Sequence, residues 1–256
     1  MGPLFAAHGW SVEVLDRDTD ALGTFSGDVE RHGTPLEVAI AKARLARDEC
    51  PEGWWVASEG SLGVDAFGVT FDHEIVVMVD ASTGVTLVGE ALRHDVVLVG
   101  RDLESPPNAD QIREVVARAG VPHHRLMVVS LDHDVAARGG LRTIEEVEAA
   151  LREMSAPGRR LRLQSDCRAH FSPSRQRVIA EATQSVLRHW ATPCPRCEGP
   201  GFAVTEVVAG RQCARCGRET DEARAEVWRC PWCQYWAETL LSETGTDPAN
   251  CPWCNP

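Results

Sequence analysis

Lysine is almost missing from this chain of 256 residues, since Lys42 is the only one beside 25 arginines. Acidic residues outnumber basic ones by 38 to 26, which gives a formal net charge of −12 at pH 7. Nucleic acids and anionic lipids bind to cationic protein surfaces. The charge balance therefore argues against a protein whose whole surface binds nucleic acid, and we expect no membrane partner.

Long apolar runs are also missing, because no stretch approaches the roughly 18 apolar residues of a membrane-spanning helix. The opening MGPLFAAHGW lacks the basic start and the apolar run of a signal peptide. Isolated cysteines are scarce: eight of ten lie in Cys-x-x-Cys pairs, and only Cys50 and Cys167 stand alone. Paired thiols suit metal binding in a reducing compartment, so we expect a cytoplasmic protein with two small buried thiols.

Apolar runs and helical patterns alternate through the first 190 residues. The predicted strands are 11–15, 54–58, 74–80, 85–92, 94–100, 124–131 and 160–165. The predicted helices follow Thr34, Asn108 and Thr143, and the last runs from Pro173 to Trp190. This alternation predicts an α/β domain over residues 1–190, with flanking helices on a mixed sheet that includes one hairpin. Residues 191–193 mark the boundary to a second domain.

The second domain, residues 192–256, contains four Cys-x-x-Cys pairs. The predicted metal ligands are Cys194, Cys197, Cys213, Cys216, Cys230, Cys233, Cys251 and Cys254. Zinc takes four ligands tetrahedrally, so the pairs predict two structural Zn²⁺ sites in a small zinc-ribbon-like β module. The pairs either combine in sequence order or interleave. A three-stranded meander over 202–208, 222–228 and 234–241 favours the interleaved arrangement.

Four tryptophans, Trp228, Trp232, Trp236 and Trp253, distinguish this module. They are either anchors for a partner or a substitute core for a module too small to bury much else. Residues 192–256 hold six arginines against nine acids, a formal charge of −3, and each Zn²⁺ with four thiolates adds a further −2. A polyanion is a poor partner for such a surface. The module is therefore expected to be structural or to bind protein.

Two segments of the first domain carry a pattern that suggests chemistry: GTPLEVAIAKARLA (33–46) and ASEGSLGVDAFG (57–68). Here the chain resembles the inosine-triphosphate pyrophosphatase and Maf-like superfamily. Members carry a threonine, a helix with a glutamate and then Lys-Ala-Arg, and an acidic Ser/Gly turn that ends the next strand. The matching positions are Thr34, Glu37, Lys42-Ala43-Arg44 and Ser58-Glu59-Gly60-Ser61.

The resemblance implies a metal-dependent hydrolase that acts on a nucleotide or a related phosphate compound. Glu37 and Glu59 would hold a catalytic Mg²⁺, and Lys42 would contact the phosphates. Thr34, Ser58 and Ser61 are the substrate-binding residues that it implies. It also implies a first strand and a phosphate loop before residue 1, so either the start of the chain was assigned late or this loop is missing. Glu37 is equally explained as the last residue of a helix-capping box, and Glu59 as a solvated loop residue.

A third segment, RRLRLQSDCRAHFSPSRQRVI (159–179), gathers six arginines around a single acid. Its candidate substrate-binding residues are Arg168, His170, Arg175 and Arg177. The alternative is an arginine-rich face that meets the acidic helix 143–155 or the anionic zinc module. Asp72, His73 and Glu74 form a further candidate, either a metal site or the polar start of a strand.

From end to end, the chain resembles domain-of-unknown-function family 6671, which joins such an α/β part to a cysteine-rich tail. The blocks SEGS, DCRAHFSPSR and CPWCNP carry this resemblance. A second hypothesis for function follows from the tail: a non-catalytic adaptor whose zinc module binds another protein, with the α/β part as a scaffold. The expected partners are thus a nucleotide or other small phosphate compound, and a protein at the zinc module.

Overall fold

The computed structural model describes residues 1–23, 32–103, 108–132 and 137–256. Its α-helices are α1 (Gly2–Ala7), α2 (Pro35–Arg44), α3 (Ala109–Ala119), α4 (Ile144–Met154) and α5 (Pro173–Trp190). Its strands are β1 (Trp54–Val64), β2 (Thr70–Asp80), β3 (Thr86–Arg93), β4 (Gly100–Leu103), β5 (Leu126–Ser130), β6 (Ala137–Leu141), β7 (Leu161–Ser165), β8 (Ala203–Ala209), β9 (Ala223–Arg229) and β10 (Trp236–Leu240). None of the helices in these ranges is both long and apolar enough to cross a membrane.

The predicted fold class is confirmed, with strands and flanking helices followed by a C-terminal β module that carries the cysteine clusters. The strands form three sheets, ordered β1-β2-β3, β4-β7-β5-β6 and β10-β9-β8. Every strand pair in the described ranges is antiparallel, in place of the predicted mixed sheet. Short connections explain the difference in the first sheet, because residues 65–69 and 81–85 are too few to cross over to a parallel neighbour.

The first sheet is covered on both faces. Val76 and Met78 of β2 pack into a core with α1 and α5, whereas Ile75 and Val77 pack into a second core with α2. Neighbouring residues of a strand point to opposite faces, so α5 and α2 lie on opposite sides of this sheet. Any side chain attached to α2 is therefore separated from one attached to α5 by the sheet itself.

The second sheet packs against α3 and α4 in a separate core. Both helices begin at the residues that the sequence predicts. Asn108 accepts a hydrogen bond from the N–H of Asp110, and Thr143 accepts one from the N–H of Glu146. These caps satisfy amide groups that the first turn of a helix leaves free, which is why local sequence was sufficient to locate them.

Two predicted strands are wrong and one strand was missed. Residues 11–15 form no strand, and Val14 is 88% exposed, so their alternating pattern has no sheet to pack against. The strand predicted at 94–100 begins only at its last residue, because Ser174 and Ser165 hydroxyls accept the N–H groups of Val97 and Val99. The missed strand is β6, whose sequence ARGGL has no apolar alternation.

Candidate functional site

The tail cysteines gather in two groups of four. The groups are Cys194, Cys197, Cys230 and Cys233, and Cys213, Cys216, Cys251 and Cys254, with all sulfur atoms of a group within 4.8 Å of one another. Individual sulfur–sulfur distances are 3.6 and 3.8 Å in the first group and 3.8 and 3.9 Å in the second. Four thiolates around a zinc ion with bonds of about 2.3 Å lie about 3.8 Å apart, whereas disulfide sulfurs lie about 2.05 Å apart. Both groups therefore have the geometry of a four-thiolate metal site.

The interleaved pairing is confirmed, since the first Cys-x-x-Cys pair joins the third and the second joins the fourth. The antiparallel meander of β8, β9 and β10 is the reason. β8 leads away from the first pair, β9 returns to the third, and β10 leads away again towards the fourth. One metal site thus lies at each end of the small sheet.

Three of the four cysteine turns share the same backbone conformation. The residue after the second cysteine has φ between 59° and 71°, at Glu198, Gly217 and Gln234. In these turns an N–H two residues after the first cysteine donates to its sulfur at 3.4 Å. Such bonds favour the thiolate form that binds metal. Four protein ligands would leave no open coordination position on a bound zinc ion, which is the arrangement of structural sites and not of catalytic ones.

Among the candidate catalytic residues, the structure brings Lys42 and Glu59 together. Lys42 Nζ lies 2.6 Å from Glu59 Oε2, with the two side chains 17% and 7% exposed. The sequence predicted that the segment around Glu59 is a turn at the end of a strand. This prediction is wrong, because Glu59 lies in the middle of β1. Glu59 is opposite Ile75 in the β1–β2 register and therefore points to the same face as α2.

Thr34 and Glu37 form the capping box of α2. Thr34 donates its N–H and its hydroxyl to Glu37 Oε2 at 2.7 and 2.9 Å, and the Glu37 N–H donates back at 3.3 Å. The backbone hydrogen bond from Thr34 lowers the pKa of the Glu37 carboxyl. This carboxylate is exposed and its hydrogen bonds serve the helix terminus.

A cavity of about 600 Å³ lies beside β1, the outer strand of the first sheet, and Lys42 and Ser58 both line it. Its walls include the aromatic side chains of Trp10, Trp54 and Trp55. Cavities of this size with apolar walls and a few polar groups are typical of small-molecule sites.

The N-terminal segment forms the other side of the cavity. Residues 10–15 and Arg17 line it, and Arg17 is ion-paired with Glu49. The segment that was wrongly predicted as a strand therefore serves as a cavity wall. Glu37, Glu59 and Ser61 are not among the lining residues. Ser61 lies further along β1, opposite His73.

Arg175 lies on the other face of the first sheet. Its Nε donates to Glu74 Oε1 at 2.5 Å and its Nη1 donates to the Cys167 carbonyl at 2.6 Å. Glu74 precedes Ile75 in β2, so it points away from the face that carries Glu59. The sheet thus separates Arg175 from Lys42, and the two do not form one site.

The other three candidate substrate-binding residues of the arginine-rich segment also do not line the cavity. Arg168 donates to Asp166 at 2.9 and 2.6 Å, and Arg177 donates to the Asp95 carboxylate at 3.0 Å. His170 is exposed, with its ring 4.0 Å from that of the neighbouring Phe171. These two arginines do meet acidic residues, but Asp166 and Asp95 belong to neither the acidic helix 143–155 nor the zinc module that the alternative named.

Asp72 and Glu74 form a buried acid pair beside Arg175. Both side chains are completely buried on the α5 face, whereas His73 points to the opposite face and contacts Glu90 at 3.0 Å. Among the described residues, no N–H or O–H group of another residue donates to three of their carboxylate oxygens, both of Asp72 and Oε2 of Glu74. Burial, followed by the charge of Glu74, raises the pKa of Asp72 to about 7. Below about pH 7 the raised pKa of Asp72 favours its neutral form, and Arg175 balances the charge of the Glu74 carboxylate to which it is ion-paired.

Gly60 is the residue that makes room for this pair. It lies opposite Glu74 in the register, and a Cβ there would be 2.5 Å from the Glu74 carboxylate. The sequence contained a signal for the acid pair that the prediction did not use. Two acids spaced two residues apart in an otherwise apolar strand must share a face, and only a buried cation can balance them.

Asp72→Asn is expected to stabilise the protein at pH 8. A raised pKa means that the folded state holds the proton more tightly than the unfolded chain, so stability is lost as pH rises from about 3.8 to about 7. The amide is neutral at every pH and avoids this loss. Urea unfolding should show the variant more stable by on the order of a few kcal/mol at pH 8, with the gain vanishing near pH 4.

The matched control is Asp102→Asn. Asp102 is 59% exposed, and its hydrogen bond to Arg162 lowers its pKa. Replacing it should cost about 1 kcal/mol or less at pH 8, opposite in sign to the gain at Asp72. An equal loss of stability in both variants would contradict the raised pKa of Asp72.

A comparison with protein families matches residues 42–256, which is 215 of the 256 residues, to the family described as "Domain of unknown function (DUF6671)". Comparisons with curated proteins and with solved structures give no match. The matched range includes Lys42 and Glu59, the buried acid pair and both cysteine groups. The chain therefore belongs to the DUF6671 family.

Proposed function

We propose that the chain binds and hydrolyses a nucleotide or a related phosphate compound in the cavity along β1. The observation that carries the proposal is the position of Lys42, which lines a cavity of about 600 Å³ and is ion-paired to Glu59 at 2.6 Å. The volume suits a ligand of nucleotide size, and the three tryptophans of its walls suit a flat heterocycle.

The Lys42–Glu59 pair has the chemistry that a phosphate site requires. An ammonium group in a partly desolvated position stabilises negative charge on phosphate oxygens more strongly than one in water. Glu59 orients this ammonium group, and its carboxylate is next to any phosphate that Lys42 binds. In the proposed reaction water attacks a phosphorus atom and gives up a proton to Glu59, and the bond from that phosphorus to the bridging oxygen breaks. The phosphate or pyrophosphate leaves with the electron pair of that bond, while Lys42 stabilises the negative charge that develops on the phosphate oxygens.

The described residues do not form a preassembled Mg²⁺ site. Their only groups of three or more Cys, His, Asp or Glu ligands within reach of one ion are the two cysteine clusters. Thr34 holds the Glu37 carboxylate, and Lys42 holds that of Glu59. Mg²⁺ commonly binds through substrate phosphates with few protein ligands. We therefore place this ion on the nucleotide, as part of the substrate, and assign no step to a protein-bound Mg²⁺.

The proposal is tested by incubating the full chain with each nucleoside triphosphate and Mg²⁺ and measuring phosphate and pyrophosphate release. Glu59→Gln and Lys42→Met are each expected to lower kcat/KM by about 100-fold or more. Glu90→Gln is the matched control, since Glu90 contacts His73 in the same sheet and neither residue lines the cavity, whereas Lys42, the partner of Glu59, does. Its kcat/KM should stay within about twofold of wild type.

Two results would overturn the proposal. One is no turnover and no binding of any triphosphate by the zinc-loaded wild-type chain. The other is turnover that Glu59→Gln and Lys42→Met leave unchanged, which would place the reaction elsewhere.

A further inference from the structure

The outer strand of the zinc module carries exposed apolar side chains. β10 is an edge strand, paired only with β9 in its sheet of 203–240. Trp236 and Leu240 are each 57% exposed, and Leu241 directly after the strand is 42% exposed. Natural proteins usually cover or charge such an edge, because its free amide groups can pair with another strand.

The hydrogen bonds of β10 show which backbone groups are free. Leu241 donates its N–H to the Arg224 carbonyl at 3.0 Å, and Cys230 donates to the Tyr235 carbonyl at 2.8 Å. In an antiparallel pair, residues alternate between those that bond to the neighbour and those that point away from it. The odd-numbered residues 235–241 therefore face β9.

Trp236, Glu238 and Leu240 consequently direct their N–H and C=O groups to the free edge. Their side chains also share one face of the strand, since they are spaced two residues apart. The edge thus offers a three-residue backbone ladder beside a repeating pattern of apolar, acidic and apolar side chains.

We propose that this edge binds an extended segment of a basic partner protein, which adds to the sheet as a fourth strand. Charge selects the partner: residues 192–256 have a formal charge of −3, and two zinc ions with eight thiolates make it about −7. Strand addition gives affinity through the backbone and specificity through alternate side chains. The matching segment carries Lys or Arg opposite Glu238 and apolar residues opposite Trp236 and Leu240.

A second copy of the chain fits this edge less well. Two antiparallel β10 strands centred on Glu238 would place the two Glu238 carboxylates opposite each other and join two anionic modules. Other tryptophans of the module are already engaged. The Arg218 guanidinium lies 4.7 Å from the Trp253 ring centre, and Trp232 packs edge-on against Trp54 at 6.3 Å.

The test uses the full zinc-loaded chain and two synthetic peptides with the cores Leu-Thr-Lys-Thr-Leu and Leu-Thr-Glu-Thr-Leu. Isothermal titration calorimetry is expected to show the basic peptide binding at least about 10-fold more tightly than the acidic one. Equal affinities, or no binding of the basic peptide, would overturn the proposal.

Two substitutions at one position separate backbone pairing from side-chain contact. Glu238→Pro removes the outward N–H and leaves the hydrogen bonds to β9 intact, whereas Glu238→Ala keeps that N–H. Both lose the carboxylate, which accepts a bond from Arg224 at 2.9 Å. The proline variant is expected to bind the basic peptide at least about 10-fold more weakly than the alanine variant. Equal binding by the two would exclude strand addition.

The zinc content of the Glu238→Pro variant, compared with that of the wild-type chain, shows whether its zinc module is folded. If Glu238→Pro loses zinc, Trp236→Ala replaces it, and at least about a 10-fold loss of peptide affinity relative to wild type is expected. Analytical ultracentrifugation of the wild-type chain measures its oligomeric state and so tests whether a second copy of the chain binds this edge. A dimer that Glu238→Pro converts to a monomer would overturn the proposal in favour of a second copy.

Discussion

Removing both zinc ions is expected to unfold residues 192–256 while the two sheets of the first part stay folded. Few apolar side chains of the module are buried: Ala203, Ala225 and Val227, together with four of its cysteines. So small a core cannot offset the conformational entropy of some 60 ordered residues. Structural zinc binding contributes about 10–16 kcal/mol in small zinc-finger peptides, and we expect a similar contribution to fold this module.

The measurement is an amide NMR spectrum before and after chelation, with zinc followed by elemental analysis. Amides of β8, β9 and β10 should collapse to random-coil positions, and those of β2 and β5 should keep their dispersion. Adding Zn²⁺ back should restore the native spectrum. Cys50→Ala is the control, because Cys50 belongs to neither cluster and its loss should leave the zinc content unchanged. A module spectrum that survives complete zinc removal would contradict a structural role for the metal.

Arg175→Met is expected to destabilise the protein by about 3–5 kcal/mol at pH 7.5, since it leaves a buried carboxylate without its counter-charge. Arg175 is 7% exposed and the Glu74 side chain is completely buried. Methionine replaces the aliphatic part of the arginine side chain and leaves little cavity. The loss of stability is therefore due mainly to the missing guanidinium group. Burial already raises the pKa of Glu74, and removing Arg175 raises it further.

The effect should therefore depend on pH in a defined direction. Lower pH protonates both acids and removes the unbalanced charge, so the loss of stability should be smaller at pH 5.5 than at pH 7.5. Arg177→Met is the matched control from the same helix, because Arg177 and its partner Asp95 are 48% and 55% exposed. Urea unfolding of this control should change by about 1 kcal/mol or less. Similar losses in both variants would mean that the buried cluster is not a charge-balanced unit.

Helix boundaries and metal ligands were predictable because their signals are local. Pro173 begins and Trp190 ends α5 as the sequence predicted, and the cysteine spacing fixed all eight ligands. Counting strands between the pairs favoured the interleaved pairing over the sequential one without excluding the latter. In each case a turn, a cap or a repeat within a few residues carried the information.

The candidate site was harder to predict because its partners come from distant parts of the chain. Arg175 seemed available for substrate, but its carboxylate partner Glu74 is 101 residues away in sequence. Glu59 and Gly60 resemble a turn, yet Lys42 neutralises the first and the Glu74 carboxylate occupies the space beside the second. Sequence order could not reveal that the sheet separates Lys42 from Arg175. That separation depends on which strand residues face each helix layer.

The pairing of the cysteine clusters is tested most directly by counting zinc in two double variants. Interleaved sites predict that Cys194→Ser with Cys230→Ser removes one zinc per chain, because both residues belong to the same cluster. Cys194→Ser with Cys213→Ser should remove both ions, since it damages each cluster once. Native mass spectrometry reads these counts against an expected two ions in the unmodified chain. The reverse outcome, with both ions lost from the first variant and one from the second, would contradict the arrangement described for the tail.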